Sequence, residues 1–214
     1  MKKSLTVAVA ALLGAAAIAG SIQPEPASNP AGKLGKEIVD AKMARMQGGM
    51  AAWMESMQPG KPHEMLSKLV GDWEVRTQMF MGRDADPMET IFQSSAEMTM
   101  GGRYLEQRGK GSFMGMSMDS LLVLGYDNVR QLFHATMFDS TSTGVRTLYG
   151  NLDETGRVLT FVGPMDEPMT GEIGKSFRVV MTFESADRYS YTIDEILYGE
   201  PFTVVRAVAI RRGE

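Results

Sequence analysis

Apolar residues recur along this chain with two different periods, and the change of period divides it. Val39, Met43, Met46, Met50, Trp53 and Met57 follow one another at steps of 4, 3, 4, 3 and 4, which places them on one face of an amphipathic helix. Gly48-Gly49 weakens its middle by about 1 kcal/mol per Gly relative to Ala, so a helix of this composition needs packing to persist. The stripe is expected to cover part of the following domain or to support self-association with a second copy; a lid over a ligand site is the alternative. Pro59-Gly60 breaks the pattern. Pro62 to Val70 then predicts a short second helix, with Leu66, Leu69 and Val70 apolar and Gly71 as its stop.

From Trp73 the period falls to two. Segments rich in β-branched and aromatic residues predict strands near 72–82, 90–100, 103–113, 116–126, 130–138, 144–151, 157–163, 176–185, 188–198 and 202–212. Tyr126-Asp127-Asn128, Asp153 to Gly156 and Ser185-Ala186-Asp187 are short enough for hairpins. About ten tightly connected strands favour a single antiparallel up-and-down β-barrel, whose closure removes exposed sheet edges. Parity places Trp73, Val75, Met79 and Met81 on one face, and Phe177, Val179, Met181 and Phe183 on another. Leu121 to Leu124 leaves the facing undecided.

The first residues carry a different signal. Lys2 and Lys3 precede an uncharged apolar run from Leu5 to Ile18, and Ala17-Ile18-Ala19 is a small-x-small cleavage pattern. The run is short of the roughly 20 apolar residues that span a bilayer. The expectation is an exported protein, periplasmic or secreted, cleaved near Ala19 and without a membrane span in its mature form; an uncleaved anchor is the alternative. The resulting division is 1–19 signal, 20–35 flexible tether, 36–70 helical arm and 71–212 barrel. Loss of Lys2 and Lys3 with the leader moves the net charge from −4 to −6. No basic field remains for nucleic acid, which requires clustered Lys and Arg. The absence of cysteine excludes disulfides, thiolate metal sites, a Cys nucleophile and an acylated lipoprotein Cys together.

Several motifs together resemble an uncharacterised bacterial domain-of-unknown-function family, number fifteen seventy-nine. They are Pro59-Gly60-Lys61-Pro62-His63, then Gly71-Asp72-Trp73, Gly101 to Gln107, Phe113-Met114-Gly115, Leu124 to Asn128, Asp139 to Gly144 and Asp166 to Gly171. The likeness spans roughly residues 50 to 212. The family has no settled activity, so the resemblance implies fold more than function. Where this chain has Met137, that family often has Trp, which changes the shape of any pocket there. Gly71-x-Trp73 also resembles the opening of calycin (lipocalin-type) barrels. That likeness implies a Trp73 closing one end, with Arg211 or Arg212 packed over its ring in a structural role.

Candidate chemistry is sparse. His63 falls at a helix start, where a cap is its ordinary role. His134 shares a strand face with Leu132, Thr136 and Phe138. A haem-type barrel would need an axial His on an inner face, and His134 is the only strand candidate. No Gly-x-Ser-x-Gly or His-Glu-x-x-His motif occurs. No catalytic residue is singled out, and no cofactor is implied. Asp127, Asp139, Asp153 and Asp166 read first as turn formers.

Methionine stands out, with 19 residues. Its flexible thioether suits irregular cores and adaptable apolar surfaces, and it is a soft ligand for Cu(I). The leading expectation is a barrel holding a small apolar or amphipathic ligand among Met79, Met81, Phe133, Met137 and Phe183. The alternative is Cu(I) handling by Met114, Met116 and Met118, projecting from one strand face about 7 Å apart. An uncharacterised enzyme or a purely structural barrel is the remaining class.

Overall fold

The computed structural model describes residues 30–197 and 199–213. The leader, its cleavage site and the tether up to residue 29 lie outside the described residues. The chain divides between Trp53 and Met54 into two units. The described part of the first is most of helix α1 (Pro30–Ser56). That helix begins earlier than expected, so 30–35 are helical and not tether; Pro30 at its first position accounts for the start, since proline's fixed φ suits a helix N-terminus. Residues 32–55 are exposed all along it, Met43 and Met50 to about half. Among the described residues no helix is long and apolar enough to cross a membrane.

The second unit contains helix α2 (Lys61–Ser67) and ten strands. These are β1 (Gly71–Met79), β2 (Met88–Thr99), β3 (Tyr104–Phe113), β4 (Met116–Asp127), β5 (Leu132–Asp139), β6 (Arg146–Leu152), β7 (Val158–Glu167), β8 (Glu172–Ser185), β9 (Arg188–Leu197) and β10 (Glu200–Arg211). Each pairs antiparallel with its sequence neighbours, and β1 pairs with β10, closing an up-and-down barrel. The largest departure from expectation is the β7–β8 hairpin, which is longer than the 163 and 176 limits. Pro164 and Gly174 both lie within the strands, with Pro164 in register opposite Ser176. The turn lies beyond them, where Met169 N–H donates to Glu167 Oε1 at 3.0 Å.

Register settles the facing. Leu105, Leu124, Ala135 and Leu148 are successive cross-strand partners and all are buried, so Leu122 and Leu124 face inward and Leu121 and Val123 outward. Burial is not uniform along the axis. Connections after β2, β4, β6 and β8 share one end with α2, and there Leu66, Trp73, Leu105, Leu124 and Leu159 are almost wholly buried. At the far end the inner positions are half-buried or exposed, as Phe113 and Met116 show. The barrel has a plugged end and an accessible one.

Arg211 holds the plug. Its guanidinium lies 4.2 Å from the centre of the Trp73 ring, and it donates to the carbonyls of Lys68, Val70 and Ala186 and to Asp187 Oδ1. Trp73 Nε1 donates to Leu69 O at 2.8 Å, satisfying its buried N–H. Arg211, and not Arg212, takes the packing role.

Candidate functional site

The barrel is not filled. Between the plug and the far end lies an internal cavity of about 270 Å3. Its wall is mainly apolar, with Val75, Phe92, Leu122, Leu124, Phe161, Met165, Val179 and Met181 among its residues. Inward parity explains that wall, because each strand turns every second side chain to the interior.

Polar side chains interrupt it towards both ends. Towards the plug, Gln107 Nε2 donates to Ser94 Oγ at 3.0 Å and to Tyr189 Oη at 3.2 Å. Tyr189 also packs edge-on against Trp73, ring centres 4.8 Å apart. Burial raises the Tyr189 and Tyr191 phenols above their ordinary values, and for Tyr191 the neighbouring Tyr189 adds to it. Both hydroxyls therefore keep their protons at neutral pH. Towards the far end, Arg146 Nη1 is paired with Asp139 Oδ2. Burial alone would push the Asp139 carboxyl up, but the Thr141 hydroxyl and the Arg146 guanidinium outweigh it and hold it below the usual carboxylate range. The pair is ionised and neutral as a unit. A second inward pair, Lys175 with Glu195, stands at the same end, with Glu172 also 3.0 Å from Lys175. Hydrogen bonding to Glu195 is the first cause raising the Lys175 amine.

The five expected lining residues are dispersed. Met137 lines the cavity. Phe133 is buried in the plugged end, edge-on to Tyr126 at 4.8 Å. Phe183 packs against the same core. Met79 is half-buried at the last position of β1, towards the far end. Met81 falls beyond β1, which ends two residues earlier, and is about half exposed, so it does not line the interior. Met79 keeps the parity of Trp73 and Val75 but is not on the cavity wall, and the strand stops before it can extend to Met81.

The three thioethers do not share a strand face either. Met114 occupies the β3–β4 turn with φ of 50°, Met116 begins β4 at the exposed rim, and only Met118 lines the cavity. A two-residue turn with Gly115 following in the left-handed region replaces the continuous strand that the spacing assumed. Among the described residues no group of three or more His, Asp or Glu is arranged to hold a metal ion.

Neither histidine lines the cavity. Gly60 N–H donates to His63 Nδ1 at 3.0 Å, so His63 caps α2 from inside; it is buried, which lowers its basicity. His134 faces outward, paired with Gly125 and Tyr149 and tilted against Tyr104. It offers no inner-face ligand. Sequence reasoning missed Ser94, Gln107, Ser120, Tyr189, Tyr191 and Arg146, all of them on the cavity wall. Their signal was parity alone: Gln107 is two residues from Leu105, and Ser94 two from Ala96.

The crystal structure of Rv2717c from M. tuberculosis is similar at 17% identity, with a TM-score of 0.52, over 73% of this chain and 100% of that one. The S-type phycobiliprotein lyase CPES from Guillardia theta is 11% identical, with a TM-score of 0.49, over 75% of this chain and 97% of that one. At such identities the first likeness concerns the barrel alone. No curated protein matches the sequence. The sequence family described as "Protein of unknown function (DUF1579)" matches residues 58–211, which take in α2 and all ten strands, and the chain belongs to that family.

Proposed function

We propose that this is an exported binding protein that holds a small apolar or amphipathic molecule inside its barrel. The observation that carries the reading is the internal cavity of about 270 Å3, lined mainly by apolar side chains with a few polar ones. It sits just below the roughly 300–1,000 Å3 of typical small-molecule sites, and its few polar groups on an apolar wall are their usual composition. A barrel meant only to be stable would close that space, because a void forfeits packing.

Native mass spectrometry of the protein purified from its own host tests the reading. The expected result is an added mass that dissociates as one organic species. A bare polypeptide mass, with no binding of apolar probes in solution, overturns it. The same spectrum tests export: loss of residues 1–19 is expected, and a full-length chain in the cytoplasmic fraction would count against it. Lys2, Lys3 and the following apolar run support that part of the proposal.

A further inference from the structure

We infer that the plugged end of the cavity is a hydrogen-bond donor site, shaped for the neutral carbonyl oxygen of an otherwise apolar ligand. The inference rests on the binding reading above. Ser94, Gln107 and Tyr189 converge there from β2, β3 and β9 and all line the cavity. Both amide hydrogens of Gln107 are used, one on Ser94 Oγ and one on Tyr189 Oη. Each hydroxyl thus accepts one bond and keeps its own hydrogen. Ser94 is 9% exposed and Tyr189 3%, so bulk water does not serve them freely. Exchanging the nitrogen and oxygen of the Gln107 amide keeps two spare donors but moves them onto the amide: the hydroxyls then donate to Oε1, and Tyr189→Phe and Ser94→Ala would leave the ketone's advantage over the alkene in place. Either arrangement leaves two donors in a buried wall, and a buried donor without an acceptor is costly.

The charge of the site selects among acceptors. A carboxylate at this end would be buried away from a free counter-charge, which is strongly unfavourable. Arg146, the cation on the cavity wall, is already neutralised by Asp139. A ketone, ester or amide oxygen needs no counter-charge and takes both hydrogens, while the rest of the molecule lies against Leu124, Phe161 and Met181.

Titration calorimetry with 2-octanone, its isostere 2-methyl-1-octene and octanoate tests this. The ketone is expected to bind about tenfold more tightly than the alkene, the worth of one to two neutral hydrogen bonds. Tyr189→Phe and Ser94→Ala should each weaken the ketone about threefold and leave the alkene unchanged. Tyr189→Phe keeps the ring against Trp73, and Ser94→Ala leaves that stack alone, so an unaltered thermal transition in either variant secures the comparison. Equal affinities for ketone and alkene overturn the donor site while the binding reading stands. Octanoate binding tightest, and losing that advantage in Arg146→Gln, also overturns it by moving the anchor to the far end. Failure of all three probes to bind overturns both.

Discussion

Arg211 shows how much one side chain can decide. It is the partner of three backbone carbonyls and of Asp187, besides covering the Trp73 ring. A lysine would keep the charge but lose the planar fork. Arg211→Lys is expected to lower unfolding stability by about 1–2 kcal/mol, the scale of losing charge-assisted bonds at a solvent-accessible end, and urea denaturation measures it. Gly71 belongs to the same device. Its φ is +125°, and an added Cβ would collide with the Arg211 guanidinium, so Gly71→Ala should destabilise in the same assay. His63 gives a pH dependence whose sign follows from its burial. Its folded pKa is lowered, so the unfolded chain takes up a proton near pH 6.5 before the folded one does. Its contribution is whole above about pH 6.5 and is lost as pH falls towards the folded pKa, with a limiting slope of about 1.4 kcal/mol per pH unit. His63→Asn should flatten that dependence between pH 7.5 and 5.5 in urea denaturation; an unchanged slope would place it elsewhere.

At the scale of elements, the division of labour follows burial. Among the described residues, every member of the hydrophobic core lies at or after Met65. The segment just before α2 is tied to the barrel through its backbone: Asn128 Nδ2 donates to Ser56 O and Gln58 O, and Arg103 Nη2 to Met57 O. Arg103 and the Asp127-Asn128 turn thus grip the entry to α2. A chain beginning at Met54 is therefore expected to keep a cooperative thermal transition, its midpoint within a few degrees of the longer chain's by calorimetry. A broad or absent transition would show that α1 contributes folding energy. The hairpins tell a related story. Asp127, Asp139 and Asp153 each accept backbone N–H groups of the turn that follows, so turn formation is indeed their local role. Asp139 adds a second one by reaching Arg146.

For the molecule as a whole, the balance between a plugged end and an unfilled middle determines what the barrel can hold. Leu66, Trp73 and Leu159 pack one end completely, while the middle leaves about 270 Å3. Met137 stands on the wall of that space, at a position where the family resemblance implies Trp. Met137→Trp is expected to fill part of the cavity and weaken ligand capture at least tenfold, while costing at most about 1–3 kcal/mol of stability as overpacking. Native mass spectrometry reads the first and urea denaturation the second. Retention of the bound species at full occupancy would show that ligand does not sit against Met137.

Much of the fold was legible because alternation is a local property. Trp73, Val75, Phe177, Val179 and Met181 declare their faces within one strand, and the short turns leave few ways to connect ten strands. The Trp73–Arg211 contact was legible through resemblance only, since nothing local joins residues 138 positions apart in the chain. The site was mostly not legible. Ser94, Gln107 and Tyr189 meet because closure brings β9 round towards β3, and Met81 and Met114 miss the interior because the strands end where hairpin geometry demands. The amino-acid sequence by itself determined the period, the turns and hence a closed antiparallel barrel. Only the tertiary structure decided that the interior stays partly empty and which polar groups face it, because volume and convergence depend on side chains from many strands at once.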